Sequence, residues 1–277
     1  MRESWNYGAG YSLVTGASAG IGAVFAERLA AKGSHLVLTA RRLDRLEELA
    51  ERLRTDHGVQ VSVVAADLAE PDAAERLWNE ASADRTVNLL VNNAGFGAQG
   101  RFEEVDLQRH RDIVQVNCTA PMDLAYLALR EMRPRGLGGI INVSSIAAFQ
   151  PVPQLATYAA SKAFVLLLSE ALWAENHDAG IRVLALCPGR TPTEFQEVAG
   201  TGSAEGAFGF RTPAKVVDAA LDAFEDGRSY VVPGLENLAA TWAVRALPRS
   251  SVVRAMKAVA RRMWGTPSSL DIPRGSD

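Results

Sequence analysis

Short apolar runs alternate with stretches of helical periodicity along most of the chain, and this alternation restricts the fold more than any other feature. Nearly every position of each run is apolar, which is typical of strands buried on both faces of a parallel sheet. The helices between the strands would cover the two faces. The sequence therefore predicts an α/β fold, a doubly wound parallel sheet of seven strands with helices on both faces. The strands are expected at residues 11–15, 35–39, 59–65, 87–91, 139–143, 181–187 and 230–232.

The intervening helices are predicted at residues 23–32, 43–54, 71–80, 106–130, 155–177 and 213–224. In the longest of them, Asn117 lies in an apolar stretch, where a buried amide needs hydrogen-bond partners. Pro121 follows and is expected to kink that helix. Ligands of open parallel sheets bind outside the carboxyl ends of the strands. The residues that follow each strand are therefore the candidates for a site.

A glycine-rich turn follows the first strand and opens the first helix, with glycines at 16, 20 and 22. Glycines let the backbone approach a phosphate, and a helix N-terminus offers free N–H groups. The spacing is GxxxGxG rather than the commoner GxGxxG. A dinucleotide site and a plain strand-to-helix turn both fit this segment alone.

The second strand ends at Ala40, where a site selective for NAD would carry Asp or Glu for the ribose hydroxyls. Arg41 follows and is predicted to bind a 2′-phosphate, which favours NADP. Arg42 fits that role or the start of the charged helix that follows. Asp67, after the third strand, fits either an adenine contact or a turn, and residues 92–95 fit either a ligand contact or a turn.

Tyr158 and Lys162 are four residues apart, so a helix places them on one face. A neighbouring ammonium favours the phenolate and is expected to lower the tyrosine pKa from about 10. Such a tyrosine gives a proton to a carbonyl oxygen or takes one from an alcohol. Ser145, at the end of the fifth strand, would hydrogen-bond the same oxygen. Tyr–Lys pairs at this spacing are common on solvated helices, so the pair depends on support from the rest of the chain.

That support comes from a series of motifs, which together resemble the short-chain dehydrogenase/reductase family over residues 8–233. In chain order they are TGASAGIG (15–22), Asp67, NNAG (92–95), Asn117, Ser144 and Ser145, YAASK (158–162) and PGRTPT (188–193). The resemblance implies a single Rossmann-like domain, nicotinamide chemistry without a metal, and a homodimer or homotetramer.

The resemblance also implies residue roles. Ser145, Tyr158 and Lys162 would be catalytic, with Asn117 as a fourth member that orders a water. Lys162 would also hold the nicotinamide ribose, Asp67 would meet adenine, and Thr193 would lie by the nicotinamide amide. The expected NADP(H) contacts are Gly16, Ser18, Gly20, Ile21, Gly22, Arg41, Asp67, Leu68, Asn93, Ala94, Gly95, Tyr158, Lys162, Pro188, Gly189, Thr191 and Thr193.

The expected activity is an NADP-dependent oxidoreductase of a carbonyl or secondary alcohol, on a hydrophobic substrate such as a ketone, a steroid-like molecule or an acyl chain. Residues 194–210 are glycine-rich and carry Phe195, Phe208 and Phe210, which fits an apolar lid or a surface loop. The alternatives are a dehydrogenase of small hydroxy acids, with Arg190 binding the carboxylate, and a non-catalytic NADP-binding sensor or scaffold.

Residues 234–277 are predicted to form a basic, helical extension beyond a catalytic domain of residues 1–233. One interpretation is an amphipathic segment that lies on a membrane surface or covers the substrate mouth. The other, which we favour at this stage, is a pair of solvated helices that pack on the domain through Trp242, Val244, Leu247 and Met256. On the helix of Tyr158, the apolar residues 164–168 fit either a subunit interface or the core.

The net charge of −3 gives no case for nucleic-acid binding. Cys118 and Cys187 lie in apolar segments and are expected to be reduced core residues. The first ten residues have no apolar signal region, and no uncharged apolar run reaches about 18 residues, the length of a membrane span. The expected location is therefore cytoplasmic.

Overall fold

The computed structural model describes residues 5–201 and 210–264. Its centre is one seven-stranded sheet with the order β3-β2-β1-β4-β5-β6-β7. Every neighbouring pair of strands is parallel, as the sequence predicted. The strands are β1 (Tyr11–Thr15), β2 (His35–Ala40), β3 (Val61–Ala65), β4 (Val87–Asn92), β5 (Gly138–Val143), β6 (Ile181–Leu186) and β7 (Tyr230–Val231).

Helices cover both faces of the sheet, so the doubly wound α/β prediction is confirmed. Successive strand residues point to opposite sides: Val14 joins a core with Phe25 and Phe224, whereas Leu13 joins a second core with Trp78 and Leu124. The helices are α1 (Gly20–Ala31), α2 (Leu43–His57), α3 (Ala73–Ser82), α4 (Leu107–Val114), α5 (Ala120–Arg135), α6 (Ala156–Asn176), α7 (Phe195–Ala199), α8 (Pro213–Glu225), α9 (Leu235–Ala246) and α10 (Arg249–Trp264).

The strand order reverses direction at β1. The chain first builds β2 and β3 on one side of β1, then crosses to place β4 on the other side. Connections after β1 and β4 therefore leave the sheet toward opposite faces, and a crevice opens between them at the carboxyl ends of the strands. The fold thus brings the turns singled out in the sequence to one edge of the sheet.

The long helix predicted at 106–130 is interrupted between residues 114 and 120. A π-helical segment, Gln115–Thr119, separates α4 from α5, and the Ala120 N–H donates to the Gln115 carbonyl. Pro121 lies in the first turn of α5, where its missing N–H costs little. The irregular backbone therefore lies around Asn117, just before Pro121, and the expected kink stays a prediction.

Two other segments differ from expectation. The helix predicted to begin at residue 71 begins at Ala73, because Asp72 adopts a left-handed backbone with φ of 56°. The loop predicted at 194–210 contains α7. Residues 202–209, with Phe208 and three of the glycines, lie outside the described residues.

The C-terminal extension forms α9 and α10 as far as residue 264. Trp242 is 64% exposed and Leu247 is 53% exposed, so the predicted packing through these two side chains is wrong. The helices present another face inward, on which Val252 and Ala260 are buried. Among the described helices, none combines the length and the apolar character that crossing a membrane requires. The division of the chain at residue 233 stays a prediction.

The apolar segment at 164–168, for which the sequence allowed either a subunit interface or the core, is partly buried and partly exposed. Val165 and Leu166 are buried, whereas Leu167 is 67% exposed and Phe164 is also exposed. The exposed pair is available to a partner subunit, and the homo-oligomer stays a prediction.

Packing between the sheet and α8 leads to a test of the fold. A Cβ atom added at Gly139 would lie 2.3 Å from Cζ of Phe224, a fully buried ring. We expect Gly139→Ala to lower the free energy of unfolding by about 1–3 kcal/mol through overpacking. That loss corresponds to about 2–4 °C in Tm per kcal/mol, measured by thermal unfolding.

A matched control is Gly8→Ala, since a Cβ there meets only ordinary contacts of 3.5 Å or more. In the Gly139→Ala background, Phe224→Leu should cost less than it does alone, because the smaller side chain relieves the clash. Equal Tm values for the two glycine variants would contradict the packing described here.

Candidate active site

A cavity of about 710 Å³ opens at the carboxyl ends of the strands. It gathers every site residue predicted from the sequence except Gly22 and Asn117, both of which lie behind its wall. Its other walls come from the segment after β6 and from α10. Residues that are more than two hundred positions apart in the sequence thus share one cavity.

The glycine turn is shaped for close approach by an anion. Gly16 and Gly20 have φ of 66° and 58°, and a Cβ on Gly22 would lie 2.2 Å from the Gly16 carbonyl oxygen. Helix α1 begins at Gly20 and has no side-chain cap. The first N–H groups of this helix therefore have no intrahelical or capping partner, and Gly20 and Ile21 line the cavity. This turn fits a dinucleotide pyrophosphate.

Asn93 and Thr15 hold the turn after β4 against the glycine turn. The Asn93 side-chain amide donates to the carbonyl oxygens of Thr15 at 2.9 Å and Gly16 at 3.2 Å. The Thr15 hydroxyl in turn accepts from the backbone N–H groups of Asn93 at 2.9 Å and Ala94 at 3.0 Å. These four bonds fix two sides of the crevice relative to each other.

The end of β2 presents arginines to the same cavity. The Arg41 side chain is 70% exposed, and its Nη1 lies 4.0 Å from Oδ2 of Asp67. Asp67 also accepts from the Ala69 N–H at 3.0 Å through Oδ1, so it stabilises its own turn. Arg41 is therefore accessible to an incoming phosphate.

Arg42, which precedes the charged helix α2, also contacts the glycine turn and the segment after β6. Its Nη2 donates to the Ser18 hydroxyl at 3.0 Å and lies 2.8 Å from Oε2 of Glu194. Arg45 pairs with the other oxygen of Glu194. The two guanidinium groups hold the pKa of Glu194 below its usual value. Sequence reasoning missed Glu194, because nothing local connects it to α2.

The segment after β6 lies over the start of α1. A Cβ on Gly20 would be 2.9 Å from Cγ2 of Thr193, so the two backbones pass closely. Gln196 stabilises this path: its amide donates to the Thr191 carbonyl at 2.7 Å and its carbonyl accepts from the Thr193 N–H at 3.0 Å. Pro188, Gly189 and Arg190 also line the cavity.

Tyr158, Lys162 and Ser145 meet at the inner wall of the cavity. Burial raises the pKa of Tyr158 to about 12, and a hydrogen bond with Ser145 opposes that rise only in part. Burial lowers the pKa of Lys162 to about 8. Nζ of Lys162 donates to the Val143 carbonyl at 2.8 Å and lies 5.8 Å from the Tyr158 ring centroid. The expected lowering of the tyrosine pKa is therefore wrong for the protein alone, because desolvation raises this pKa and the bond with Ser145 offsets only part of the rise.

Asn117 is fully buried behind this wall and hydrogen-bonds to residues beside it. Its amide donates to the Phe96 carbonyl at 3.0 Å and to the Ser161 hydroxyl at 2.9 Å, and its oxygen accepts from the Phe96 N–H at 3.1 Å. A Cβ on Gly95 would lie 3.0 Å from that oxygen and 3.1 Å from Nζ of Lys162. The side chain thus positions the segment after β4 against α6, and the water that Asn117 was expected to order stays a prediction.

The remaining part of the cavity is mainly apolar. The Phe195 ring centroid lies 5.1 Å from that of Tyr158, and Val152 and Leu155 line the wall nearby. The far wall belongs to α10, through Met256, Val259, Ala260 and Trp264. No motif identifies these four, since the face that a helix turns inward depends on its packing. Arg109 was also missed; its guanidinium lies 4.2 Å from the ring centroid of Phe96.

Comparison with known proteins identifies several dehydrogenases to which this chain is similar. The chain is 28% identical over 215 residues to the 7beta-hydroxysteroid dehydrogenase of Mediterraneibacter gnavus, a match that covers 76% of this chain and 81% of that one. A short-chain dehydrogenase from Sphingobium yanoikuyae, solved in complex with NADPH, superposes with a TM-score of 0.78 at 33% identity and covers 96% of this chain and 98% of its own.

A third similar protein is the bulky-bulky ketone specific alcohol dehydrogenase from Comamonas testosteroni. Its TM-score is 0.75 at 31% identity, over 96% of this chain and all of that one. The family model described as short chain dehydrogenase matches residues 11–203, more than half of the sequence. The chain therefore belongs to the short-chain dehydrogenase/reductase family of nucleotide-binding oxidoreductases with a Rossmann-like fold.

Proposed function

We propose that this protein is an NADP(H)-dependent reductase of apolar ketones, which also oxidises the corresponding secondary alcohols. One observation carries the proposal: Tyr158, Ser145 and Lys162 lie together on one wall of a cavity that has the glycine turn at one end and apolar side chains at the other. A proton donor, a phosphate-binding turn and an apolar pocket are the parts that such a reaction needs.

The proposed roles follow from the position and protonation of each group. Tyr158 protonates the carbonyl oxygen, and the Ser145 hydroxyl donates a hydrogen bond to the same oxygen as negative charge develops on it. With a pKa of about 12, Tyr158 carries its proton at neutral pH, which suits a general acid. A nicotinamide cofactor, held by the glycine turn and the segments after β4 and β6, would supply the hydride.

Lys162 supports the proton transfer from Tyr158 in this scheme. Below about pH 8 its ammonium is charged and stabilises the phenolate that Tyr158 becomes when it gives up its proton. Asn117 acts as a positioning residue, because its side-chain bonds go to Phe96 and Ser161 rather than into the cavity. We therefore assign it the alignment of this wall.

The preference for NADP(H) rests on the end of β2. No carboxylate stands at Ala40 to bind a ribose 2′-hydroxyl, and Arg41 is exposed beside the cavity. Arg42 and Ser18, already bonded to each other, lie close by and add donors for a phosphate. The NADPH bound by the Sphingobium relative supports the same choice.

An apolar and bulky substrate is supported by the cavity walls and by the activities that two similar proteins carry in their names. Phe195 flanks Tyr158, and the inner face of α10 adds Met256 and Trp264. Arg190 also lines the cavity and would suit a carboxylate, so small hydroxy acids belong in any substrate panel. The larger apolar share of the lining favours ketones with two bulky groups.

Arg41→Ala tests the cofactor proposal. Loss of a charge-assisted contact to the 2′-phosphate should weaken NADPH binding by about 10–100-fold and leave NADH binding within about twofold. Isothermal titration calorimetry measures both. Arg76→Ala is the matched control, because Arg76 is exposed on α3, pairs with Glu70, and lies outside the cavity. Equal losses for the two cofactors, or none, would remove Arg41 from the site.

Tyr158→Phe tests the general acid. The variant should bind NADPH as tightly as the wild type but reduce an aryl ketone at least about 100-fold more slowly, since the ring remains and the proton is lost. NADPH consumption at 340 nm follows the rate. Tyr126→Phe, on the exposed surface of α5, should keep full activity. A Tyr158→Phe protein with most of its ketone reductase activity would show that another group supplies the proton.

The pH dependence tests the lysine. At saturating NADPH, ketone reduction should stay constant below about pH 7 and fall as the pH rises through about 8, because Lys162 then loses its charge. Alcohol oxidation should rise with pH, since it requires Tyr158 without its proton. The slow Lys162→Met variant should lack the break near pH 8 in the reductive direction. A break that persists in this variant would assign it to another group.

A further inference from the structure

Helices α9 and α10, residues 235–264, form a strongly basic pair at the end of the chain. They contain one acid, Glu236, and six cations: Arg245, Arg249, Arg254, Lys257, Arg261 and Arg262. Their net charge is +5 in a chain with a net charge of −3, so the other residues together carry −8. This pair of helices is thus a segment of positive net charge in a chain whose other residues are acidic on balance.

These six cations are not neutralised by the rest of the described chain. All six are exposed, and none lies within ion-pair distance of a described carboxylate. Glu236 pairs with Arg211 instead. Most cations on the other helices form ion pairs, hydrogen bonds or ring contacts within the protein. Arg28, for example, pairs with Asp218 at 2.8 Å. An anionic surface outside the protein would complement the free cations.

Large apolar side chains are exposed among the cations. Trp242 and Leu247 are mostly exposed, as are Leu235 at 83% and Val253 at 48%. These apolar side chains lie among the arginines of the helix pair. An acidic protein surface would pair with the arginines but would leave the apolar side chains in water. Exposed tryptophan and leucine beside arginine and lysine are typical of segments that lie in a membrane interface.

The opposite face of the same helices closes the cavity. Val252 and Ala260 are buried, and Met256, Ala260 and Trp264 line the same cavity as Tyr158. Helix α10 therefore has one face on the cavity and the other, basic face on solvent. A surface that binds the outer face would lie next to the mouth of the apolar pocket.

We propose that the outer face of α9 and α10 docks on an anionic phospholipid bilayer. The six cations provide the attraction, and Trp242, Leu247 and Val253 enter the interfacial region. If the proposed function also holds, docking places the cavity mouth where an apolar ketone dissolved in the bilayer can enter. The alternative partner is a second copy of this chain, because its other residues carry a net negative charge. The test must therefore exclude a subunit contact.

The full-length chain is mixed with sedimentable vesicles of phosphatidylcholine alone or with about 30% phosphatidylglycerol. It should bind only the anionic vesicles, and the affinity should fall at least about tenfold at high salt. The variant Arg254→Gln/Lys257→Gln/Arg261→Gln should bind about 100-fold more weakly, since each cation near such a surface contributes about fivefold. The control Arg111→Gln/Arg130→Gln/Lys215→Gln removes three exposed cations elsewhere and should change binding by less than about threefold.

Tryptophan fluorescence adds a second readout, because Trp242 should shift to shorter wavelength on anionic vesicles and Trp242→Phe should lose that shift. The proposal is overturned if the wild type does not bind anionic vesicles or binds neutral vesicles with equal affinity. It is also overturned if the control variant loses as much affinity, or if the basic-face variant changes the molar mass by light scattering, which would make the face a subunit contact. No arm of this test uses cofactor or ketone, so its failure would leave the proposed function standing.

Discussion

The bonds between Asn93, Thr15 and the Gly16 carbonyl connect the two turns on either side of the strand-order reversal. The crevice depends on that connection. It sets the position of the glycine turn relative to β4, and Gly95, two residues after Asn93, lies against Lys162 and Asn117. The glycine turn and the wall that carries Tyr158 are therefore parts of one hydrogen-bonded edge of the sheet, and a shift in either would move the other.

Burial decides the chemistry that we propose at that edge. It raises the pKa of Tyr158 and lowers that of Lys162, so the tyrosine keeps its proton and the lysine holds its charge only up to about pH 8. Sequence spacing brings the pair together but says nothing of desolvation, which is why the tyrosine pKa was predicted in the wrong direction. The lysine charge matters at the moment the proton leaves, when a phenolate forms in a poorly solvated wall.

The parts of this protein that could be predicted are those encoded locally. Apolar runs predicted the seven parallel strands. The turns after them predicted Gly16 and Asn93 in one cavity, and helical spacing predicted Tyr158 beside Lys162. The parts that could not be predicted depend on distant contacts. Glu194 pairs with arginines about 150 positions earlier, the π-helical turn serves the bonds of Asn117 to Phe96 and Ser161, and the inward face of α10 is chosen by packing rather than by pattern.

Hydride transfer is the most direct test of the account. NADPH carrying deuterium at both hydrogen positions of C4 of its nicotinamide is incubated with the protein and a ketone that has two bulky apolar groups, and the product is analysed by mass spectrometry. The account predicts deuterium on the carbinol carbon of the secondary alcohol, with the hydroxyl proton derived from solvent. NADPH that binds without delivering deuterium to any ketone would contradict it and favour a non-catalytic binding protein. Delivery only to small keto acids would instead assign the cavity to substrates held by Arg190.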